Sequence, residues 1–351
     1  MKFKIGKHWV GEGCPTFIIA EMSANHGGNL AQAIKIIHAA KRAGADAIKL
    51  QTYRADTITL NSKKADFLLP NDSPWKEDNT LYALYEKAHM PWEWHQVLYD
   101  EAKKLNIEIF SSPFDHSAVE LLESLDSVAY KIASPEITDL SLIAKIAKIN
   151  KPIILSTGLA DKQDIEDAIK VLIESGNLQY AFLKCTTAYP APIEEANLAL
   201  IANIKNDFNC LSGLSDHTLG NDAVMTAVAL GADIIEKHFM LDENTETPDS
   251  FFSLSESQFT EMVKRVRSVE SAIGNGMYDL TPSASKNLSG RRSLYIAKAI
   301  KAGDKLTEQH IKSVRPSYGL HPKYYQEILG EKVNRDLEVG DRLSFNVIEI
   351  T

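Results

Sequence analysis

Lys49, Lys131, His217, His238, Glu21 and Glu136 each stand at or just beyond the end of a short apolar run in this 351-residue chain. Two ammonium groups offset the charge of a small multi-anion. The hydroxyls of Ser112, Ser134, Ser156 and Ser215, placed after other apolar runs, supply directed hydrogen-bond donors to it. Two imidazoles that meet at one point suit a divalent ion such as Mn²⁺, which also takes ligand oxygens and water. No HxxxH or HExxH pattern accompanies the two histidines, so spacing alone is a thin warrant for a metal. Glu21 and Glu136 are candidate general acids or bases, tuned by burial beside such a pocket. Singly, each residue has a plainer reading, because a lone His is more often structural and a Lys after a strand is often a surface cation. The set carries the argument.

The elements that must position these residues follow one rhythm from residue 17 to about residue 270. An apolar run with β-branched residues ends in polar or small residues, and a helical pattern follows. The predicted strands are Phe17–Glu21, Ala47–Gln51, Ile107–Ser111, Ala129–Ile132, Pro152–Ser156, Ala181–Lys184, Cys210–Leu214 and Asp233–Lys237. Helical spacing is clear over Leu30–Ala43, Trp92–Leu105, Ser117–Ser124, Ser141–Ile149, Lys162–Ser175 and Asn221–Leu230. Gly44 and Gly231 each close a helix before a strand. Eight strands alternating with helices over roughly 250 residues is the arithmetic of a (β/α)8 (TIM) barrel. A doubly wound sheet is the competitor, but no GxGxxG follows the first strand.

In a barrel of this type chemistry sits at the C-terminal strand ends. There the first strand offers Glu21, Asn25 and His26; the second, Lys49 and Gln51; the third, Ser111 and Ser112; the fourth, Lys131, Ser134 and Glu136. The fifth offers Ser156 and Thr157; the sixth, Lys184, Thr186, Thr187 and Tyr189; the seventh, Ser215, Asp216 and His217; the eighth, Glu236, Lys237 and His238. For His26 a structural role stands slightly ahead of a catalytic one.

Two segments break the rhythm. Tyr53–Pro91 is a long connection after the second strand, read either as a surface insertion or as a lid over the barrel mouth. Residues 1–280 are expected to form the barrel domain, residues 281–290 a linker, and residues 291–351 a small module with tight turns at KAGDKL and LEVGDRL. Formal net charge is −9 with no long basic run, which argues against binding nucleic acid through phosphate neutralisation. No apolar run approaches the ~20 residues that span a bilayer. Cys14, Cys185 and Cys210 form an odd, sparse set without CxxC spacing, which suggests reduced thiols and a cytosolic setting. The first residues lack a signal-peptide core.

The stretches IIAEMSANH, AIKLQTY, FSSPF, YKIASPE, ILSTG, KCTTAYP, GLSDHT and IEKHF together resemble the sialic acid synthase family, metal-dependent enzymes that condense phosphoenolpyruvate with an N-acetylated sugar. RRSLYIAKAIKAGDKL and SVRPSYGL resemble the antifreeze-protein-like (SAF-type) domain of those enzymes, and the likeness covers nearly the whole chain in order. Within the family, Met22 and Ser23 of EMSANH, with KLQTY and SVRPSYGLHPKYYQE, favour the pseudaminic branch. The N-acetylneuraminate and legionaminate branches more typically read E-A-G-x-N-H at the first strand. The resemblance implies that Lys49, Ser112, Lys131, Ser134, Ser156, Thr187 and Ser215 hold phosphoenolpyruvate, although sialic acid members often carry Asn where Thr187 stands. It implies that His217 and His238 ligate Mn²⁺, with Mg²⁺, Co²⁺ or Fe²⁺ as other candidates. It implies that Glu21, Gln51, Tyr189 and Asp249 contact the sugar. Arg315 would bind an N-acetyl group in the other subunit's site, which makes the expected assembly a domain-swapped homodimer.

The expected reaction is an aldol-like condensation with C–O cleavage of phosphoenolpyruvate, in which Glu21, Glu136 and His238 serve the chemistry. The rival enzyme class is a Schiff-base aldolase using Lys131 or Lys184 as nucleophile. The rival non-enzyme class is a carbohydrate-binding module with the barrel as scaffold, which leaves eight polar strand ends without a task.

Overall fold

The eight predicted runs become the staves of one closed parallel barrel in the computed structural model, which describes residues 1–242 and 246–349. A hairpin of β1 (Lys2–Ile5) and β2 (His8–Gly11), not anticipated from the sequence, precedes them. The staves are β3 (Phe17–Glu21), β4 (Ala47–Thr52), β5 (Glu108–Pro113), β6 (Tyr130–Ile132), β7 (Ile153–Ser156), β8 (Tyr180–Cys185), β9 (Leu211–Asp216) and β10 (Ile234–His238). Each lies within two residues of its predicted bounds. They close in chain order, with β10 paired to β3.

Strand parity explains how the barrel is filled and what it presents. Phe17, Ile19, Ala47, Phe110, Ala129, Ile154, Ala181, Leu183, Leu211 and Ile234 form one cluster inside the barrel. Phe3, Ile5 and Val10 of the hairpin join it, so the hairpin plugs the N-terminal end. The alternate residues Ile18, Ile48, Leu50, Ile132, Ile153, Leu155, Phe182 and Ile235 pack with the surrounding helices. Fully burying each of these side chains is worth about 1.5–3 kcal/mol. Because side chains alternate with period two, Glu21 continues the inward row of Phe17 and Ile19. Lys49 and Gln51 likewise follow Ala47, Lys131 follows Ala129, Ser156 follows Ile154, and Glu236 and His238 follow Ile234. The core therefore sets which polar groups face the barrel mouth.

Helix Leu30–Ala43 illustrates the outer layer. The Asn29 side chain caps it by accepting from Gln32 N, and Ala33, Ile36, Ile37 and Ala40 face the sheet. Gly44 ends it at φ +90°, a conformation that costs a residue with a Cβ. The 53–91 connection carries helices Ala55–Ile58 and Leu81–Ala88. Among the described residues no helix is long and apolar enough to cross a membrane.

The chain divides into two compact units after Gly274. Within 281–290, a short helix Pro282–Ser285 is capped by Thr281, and all ten residues are exposed. The second unit pairs β11 (Ser293–Ile296) with β12 (Ile311–Val314), and β13 (Lys332–Val333) with β14 (Ile348–Glu349). Its own core contains Leu294, Ile296, Ile300, Leu306, Ile311, Ile328, Val333, Leu337, Leu343 and Val347. Gly303 and Gly340 supply the positive φ of the two turns.

Candidate active site

The inward rows open at their C-terminal ends into a cavity of about 300 Å³. Glu21, Lys49, Gln51, Lys131, Ser134, Ser156, Thr187, Tyr189, Ser215, His217, His238 and Asp249 all line it. Seven of the eight strand ends, all but that of β5, and one later loop thus deliver predicted polar groups to one place.

Its floor is a buried charge cluster. Lys49 Nζ lies 2.6 Å from Glu21 Oε2 and 3.6 Å from Glu236 Oε1, and donates to Ser112 Oγ at 3.2 Å. Burial opposes charge on Lys49, but the carboxylates of Glu21 and Glu236 outweigh it and raise its pKa. Burial, assisted by the Glu236 charge, raises Glu21 despite Lys49. Burial opposes charge on Glu236 too, yet Lys49, Lys131 and His217 together hold it below the usual carboxylate range. Two adjacent carboxyls are thereby split, one disposed to carry a proton and one to stay anionic. Lys131 donates to Ser156 Oγ at 2.6 Å and to the Ile132 carbonyl at 3.0 Å. Burial lowers its pKa.

Hydroxyls flank the two ammonium groups. Thr187 Oγ1 donates to Ser134 Oγ at 3.2 Å, and Ser134 Oγ accepts from the Leu159 N–H at 2.8 Å. Gly158 makes this arrangement possible, since a Cβ there would sit 2.2 Å from Thr187 Oγ1 and 2.9 Å from Ser134 Oγ. Ser215 donates to Glu236 at 3.4 Å.

The rings of His217 and His238 meet edge to face with centroids 5.3 Å apart. His217 Nδ1 sits 2.9 Å from the Thr186 carbonyl, which only accepts, so Nδ1 carries a hydrogen; burial opposes charge on this ring, but Cys185 and that carbonyl raise its pKa, so Nε2 offers a lone pair once its proton is displaced. Burial, with the nearby cationic groups, pushes His238 well below its ordinary range and holds it neutral. Its Nδ1 is buried with no hydrogen-bond partner among the described residues. A neutral His238 and a His217 whose Nε2 proton a metal can displace, beside the anionic Glu236, fit a divalent ion that keeps open positions. Among the described residues no group of three or more His, Cys, Asp or Glu side chains is arranged to hold a metal ion. Water and substrate oxygens would complete the shell.

The first strand's turn supplies the next wall. Gln51 Nε2 donates to Glu21 Oε1 and to Ser23 Oγ, both at 3.0 Å, and the Ser23 hydroxyl donates to Asp249. Ser23 has φ +45°, a conformation that a non-glycine residue holds only where its surroundings fix it. Burial raises the Asp249 pKa. Asn25 anchors this turn by donating to the Phe239 carbonyl and to Ser253 Oγ. His26 Nδ1 accepts from the Gly28 N–H, and its ring packs edge to face on Trp94.

The remaining wall is apolar and aromatic. Tyr53, Trp75, Leu84, Tyr85 and Ala88 of the 53–91 connection line the cavity with Tyr189 and Phe252. Trp75 Nε1 donates to the Pro248 carbonyl at 2.8 Å, which ties the connection to the loop bearing Asp249.

Three predicted residues lie elsewhere. Ser112 is buried behind Lys49 and reaches the cavity only through that ammonium. Glu136 is on the turn after β6, next to the lining residues Ser134 and Pro135, and burial pushes its carboxyl up to about 7. Arg315 belongs to the second unit and precedes the cis-Pro316 bond. Lys184, a rival nucleophile, falls on the outward parity of β8 and donates to the Cys185 carbonyl and Thr186 Oγ1. Sequence reasoning gave no task to Ser23, Cys185 or Glu236, nor to any member of the aromatic wall except Tyr189. Glu236 had a signal, because it shares the inward parity of His238 two residues on.

A closed (β/α)8 barrel whose mouth holds buried lysines, hydroxyls, a split carboxyl pair and two imidazoles has the makings of an enzyme that binds a small phosphorylated anion. The NeuB family pattern matches residues 36–278 and a SAF domain matches residues 291–347. The chain belongs to the NeuB family. It is 50% identical over 327 residues to the pseudaminic acid synthase of Campylobacter jejuni subsp. jejuni serotype O:23/36, covering 93% of this chain and 95% of that one. It is 45% identical over 336 residues to the pseudaminic acid synthase of Helicobacter pylori, covering 95% and 98%. Among solved structures, the N-acetylneuraminic acid synthetase of Leptospira borgpetersenii serovar Hardjo-bovis, in complex with citrate, aligns with a TM-score of 0.74 at 28% identity, over 82% of this chain and 95% of that one.

Proposed function

We propose that the protein condenses phosphoenolpyruvate with 2,4-diacetamido-2,4,6-trideoxy-L-altrose and water, giving pseudaminic acid and phosphate. The observation that carries this reading is the pairing of two walls in one cavity. Lys49 and Lys131, with their hydroxyls, suit the phosphate and carboxylate of phosphoenolpyruvate. The apolar face of Tyr53, Trp75, Leu84 and Ala88 suits a sugar with two N-acetyl methyls and a methyl in place of a C6 hydroxymethyl. The near full-length likeness to two pseudaminic acid synthases supports the same sugar.

His217 and His238 would hold a divalent ion, for which we propose Mn²⁺, and it would supply Lewis-acid polarisation of the open-chain aldehyde. Lys49, Lys131, Ser134, Ser156, Thr187 and Ser215 bind and orient phosphoenolpyruvate. Gln51, Tyr189 and Asp249 align the sugar, so that C3 of phosphoenolpyruvate meets the aldehyde carbon. The new C–C bond leaves positive character at C2, and the anionic Glu236 is fixed where it can stabilise that charge. Water adds at C2 and gives up a proton, while the former aldehyde oxygen takes one. Glu21, disposed to hold a proton, and Glu136, which titrates near neutrality, are the carboxyl groups we assign to that exchange. The tetrahedral carbon then breaks its bond to the bridging oxygen and phosphate leaves.

Arg315 serves the partner protomer's sugar site in a domain-swapped homodimer under this proposal, and Arg315→Ala raises the sugar KM far more than the phosphoenolpyruvate KM. Cys14, Cys185 and Cys210 are free thiols, in keeping with a cytoplasmic enzyme. The decisive experiment is phosphate release from phosphoenolpyruvate with the diacetamido-altrose, its glucose-configured analogue and N-acetylmannosamine. The altrose should be preferred, and preference for N-acetylmannosamine overturns the substrate assignment.

A further inference from the structure

The two imidazole-bearing strand ends are tied together on the side of the sheet that faces away from the cavity. Glu236 and His238 occupy the inward parity of β10, so Lys237 between them points outward. It is nevertheless fully buried, and Asp216, its register partner on β9, is 3% exposed. Lys237 Nζ donates to the Asp216 carboxylate and, at 2.6 Å, to the Thr218 carbonyl. Asp216 Oδ1 in turn accepts from the Thr218 N–H at 2.9 Å. One ammonium therefore grips the residue before and the residue after His217, while its own backbone neighbour is His238.

A buried ion pair of this kind is seldom the most stable solution. Well-packed apolar side chains of similar volume usually do as well or better. What apolar packing does not supply is direction: the Lys237 ammonium holds the Asp216 carboxylate before His217 and the Thr218 carbonyl after it against the strand that carries His238. We infer that Lys237, Asp216 and Thr218 form a positioning clamp that sets the His217–His238 geometry and thereby the affinity of the pair for a divalent ion. This rests on the proposal that the imidazole pair holds such an ion. Neither Lys237 nor Asp216 lines the cavity, so the clamp acts through the two histidines.

The test uses the full chain with Mn²⁺ as the probe, without substrates. Calorimetric Mn²⁺ titration and a thermal melt are run on wild type, on Lys237→Arg, and on the double variant Asp216→Leu/Lys237→Met, which replaces the pair by apolar groups of similar size. The double variant should melt near the wild type but bind Mn²⁺ roughly 10–100-fold more weakly. Lys237→Arg, which keeps charge and donors, should fall between the two. Wild-type Mn²⁺ affinity in the double variant overturns the clamp. Absence of Mn²⁺ binding to wild type overturns the metal reading and the clamp with it, so the two failures are read from different proteins. Should the double variant fail to fold, Asp216→Asn takes its place with the same expected weakening, and unchanged affinity there is equally fatal.

Discussion

Lys49 Nζ lies 2.6 Å from Glu21 Oε2 at directly paired positions of β4 and β3, with both side chains all but sealed from solvent. Removing one partner of a buried pair leaves the other uncompensated, at a cost of about 3–5 kcal/mol. Lys49→Met strands the anionic Glu236, so its melting temperature should fall by roughly 10 °C, taking a few degrees per kcal/mol. Its phosphoenolpyruvate KM should rise as well. Glu21→Gln should destabilise far less, because burial already disposes Glu21 toward its neutral form. Its loss should appear in kcat. Equal melting shifts in the two variants would refute the split between Glu21 and Glu236.

The carboxyl of Glu136 gives a pH signature. Its folded pKa is about 7 against an ordinary 4.5, raised chiefly by burial. The folded state thus binds this proton more tightly than the unfolded chain. The associated stability is fully present below about pH 4.5 and is lost as pH rises toward 7. Glu136→Gln keeps the neutral shape at all pH values. It should therefore melt close to wild type at pH 5 and several degrees higher at pH 8. His26 works in the opposite sense: burial lowers it to about 4, so its contribution is present above pH 6.5 and lost as pH falls toward 4. Thermal melts of Glu136→Gln at pH 5 and pH 8 decide the matter, and an identical offset at both would show that Glu136 does not titrate as described.

The staves were legible in the sequence because fully buried parallel strands write themselves as short apolar runs with polar ends. The inward rank of Glu21, Lys49, Lys131 and His238 follows from counting by twos from Phe17, Ala47, Ala129 and Ile234. The hairpin β1–β2 escaped because its alternation is short and half its residues face solvent, as Lys2, Lys4 and Trp9 do. The aromatic wall escaped for another reason. Tyr53, Trp75 and Leu84 have no common period; tertiary contacts bring them to one face, among them the hydrogen bond from Trp75 to Pro248, the packing of Trp75 on Tyr189 and the packing of Tyr53 on Tyr85 and Phe114. Ser112 and Lys184 show the limit of reading strand ends alone. Both sit at the right height, but one is screened by Lys49 and the other has the wrong parity.

Gly158 tests the hydroxyl side of the cavity by itself. Its backbone lies outside the left-handed region, so alanine there is disfavoured only by space. The added methyl meets the Thr187 and Ser134 hydroxyls, and these short side chains can yield only by rotating away from each other. Gly158→Ala should raise the phosphoenolpyruvate KM about tenfold or more while leaving the sugar KM near wild type, since misplaced donors on one substrate are felt by that substrate. Equal changes in both constants would place these hydroxyls outside the phosphoenolpyruvate site.

Leu84 tests which sugar the apolar wall admits. It lies on helix Leu81–Ala88, capped by Thr80, and points with Ala88 one turn on into the cavity. Under the roles proposed for the lysines and imidazoles, the aldehyde reacts deep in the barrel, and the opposite end of an open-chain sugar lies toward the rim that this helix walls. An apolar rim favours a C6 methyl over a C6 hydroxymethyl by roughly 10–200-fold, the scale of one small group in a hydrophobic pocket. Leu84→Thr replaces the γ-branched isobutyl group by a shorter, β-branched one that carries a hydroxyl. The ratio of kcat/KM for the 6-deoxy diacetamido-altrose to that for its 6-hydroxy counterpart should fall about tenfold, with the phosphoenolpyruvate KM unchanged. A ratio unmoved by Leu84→Thr, in an enzyme that still prefers the 6-deoxy sugar, would assign that preference to another wall of the cavity.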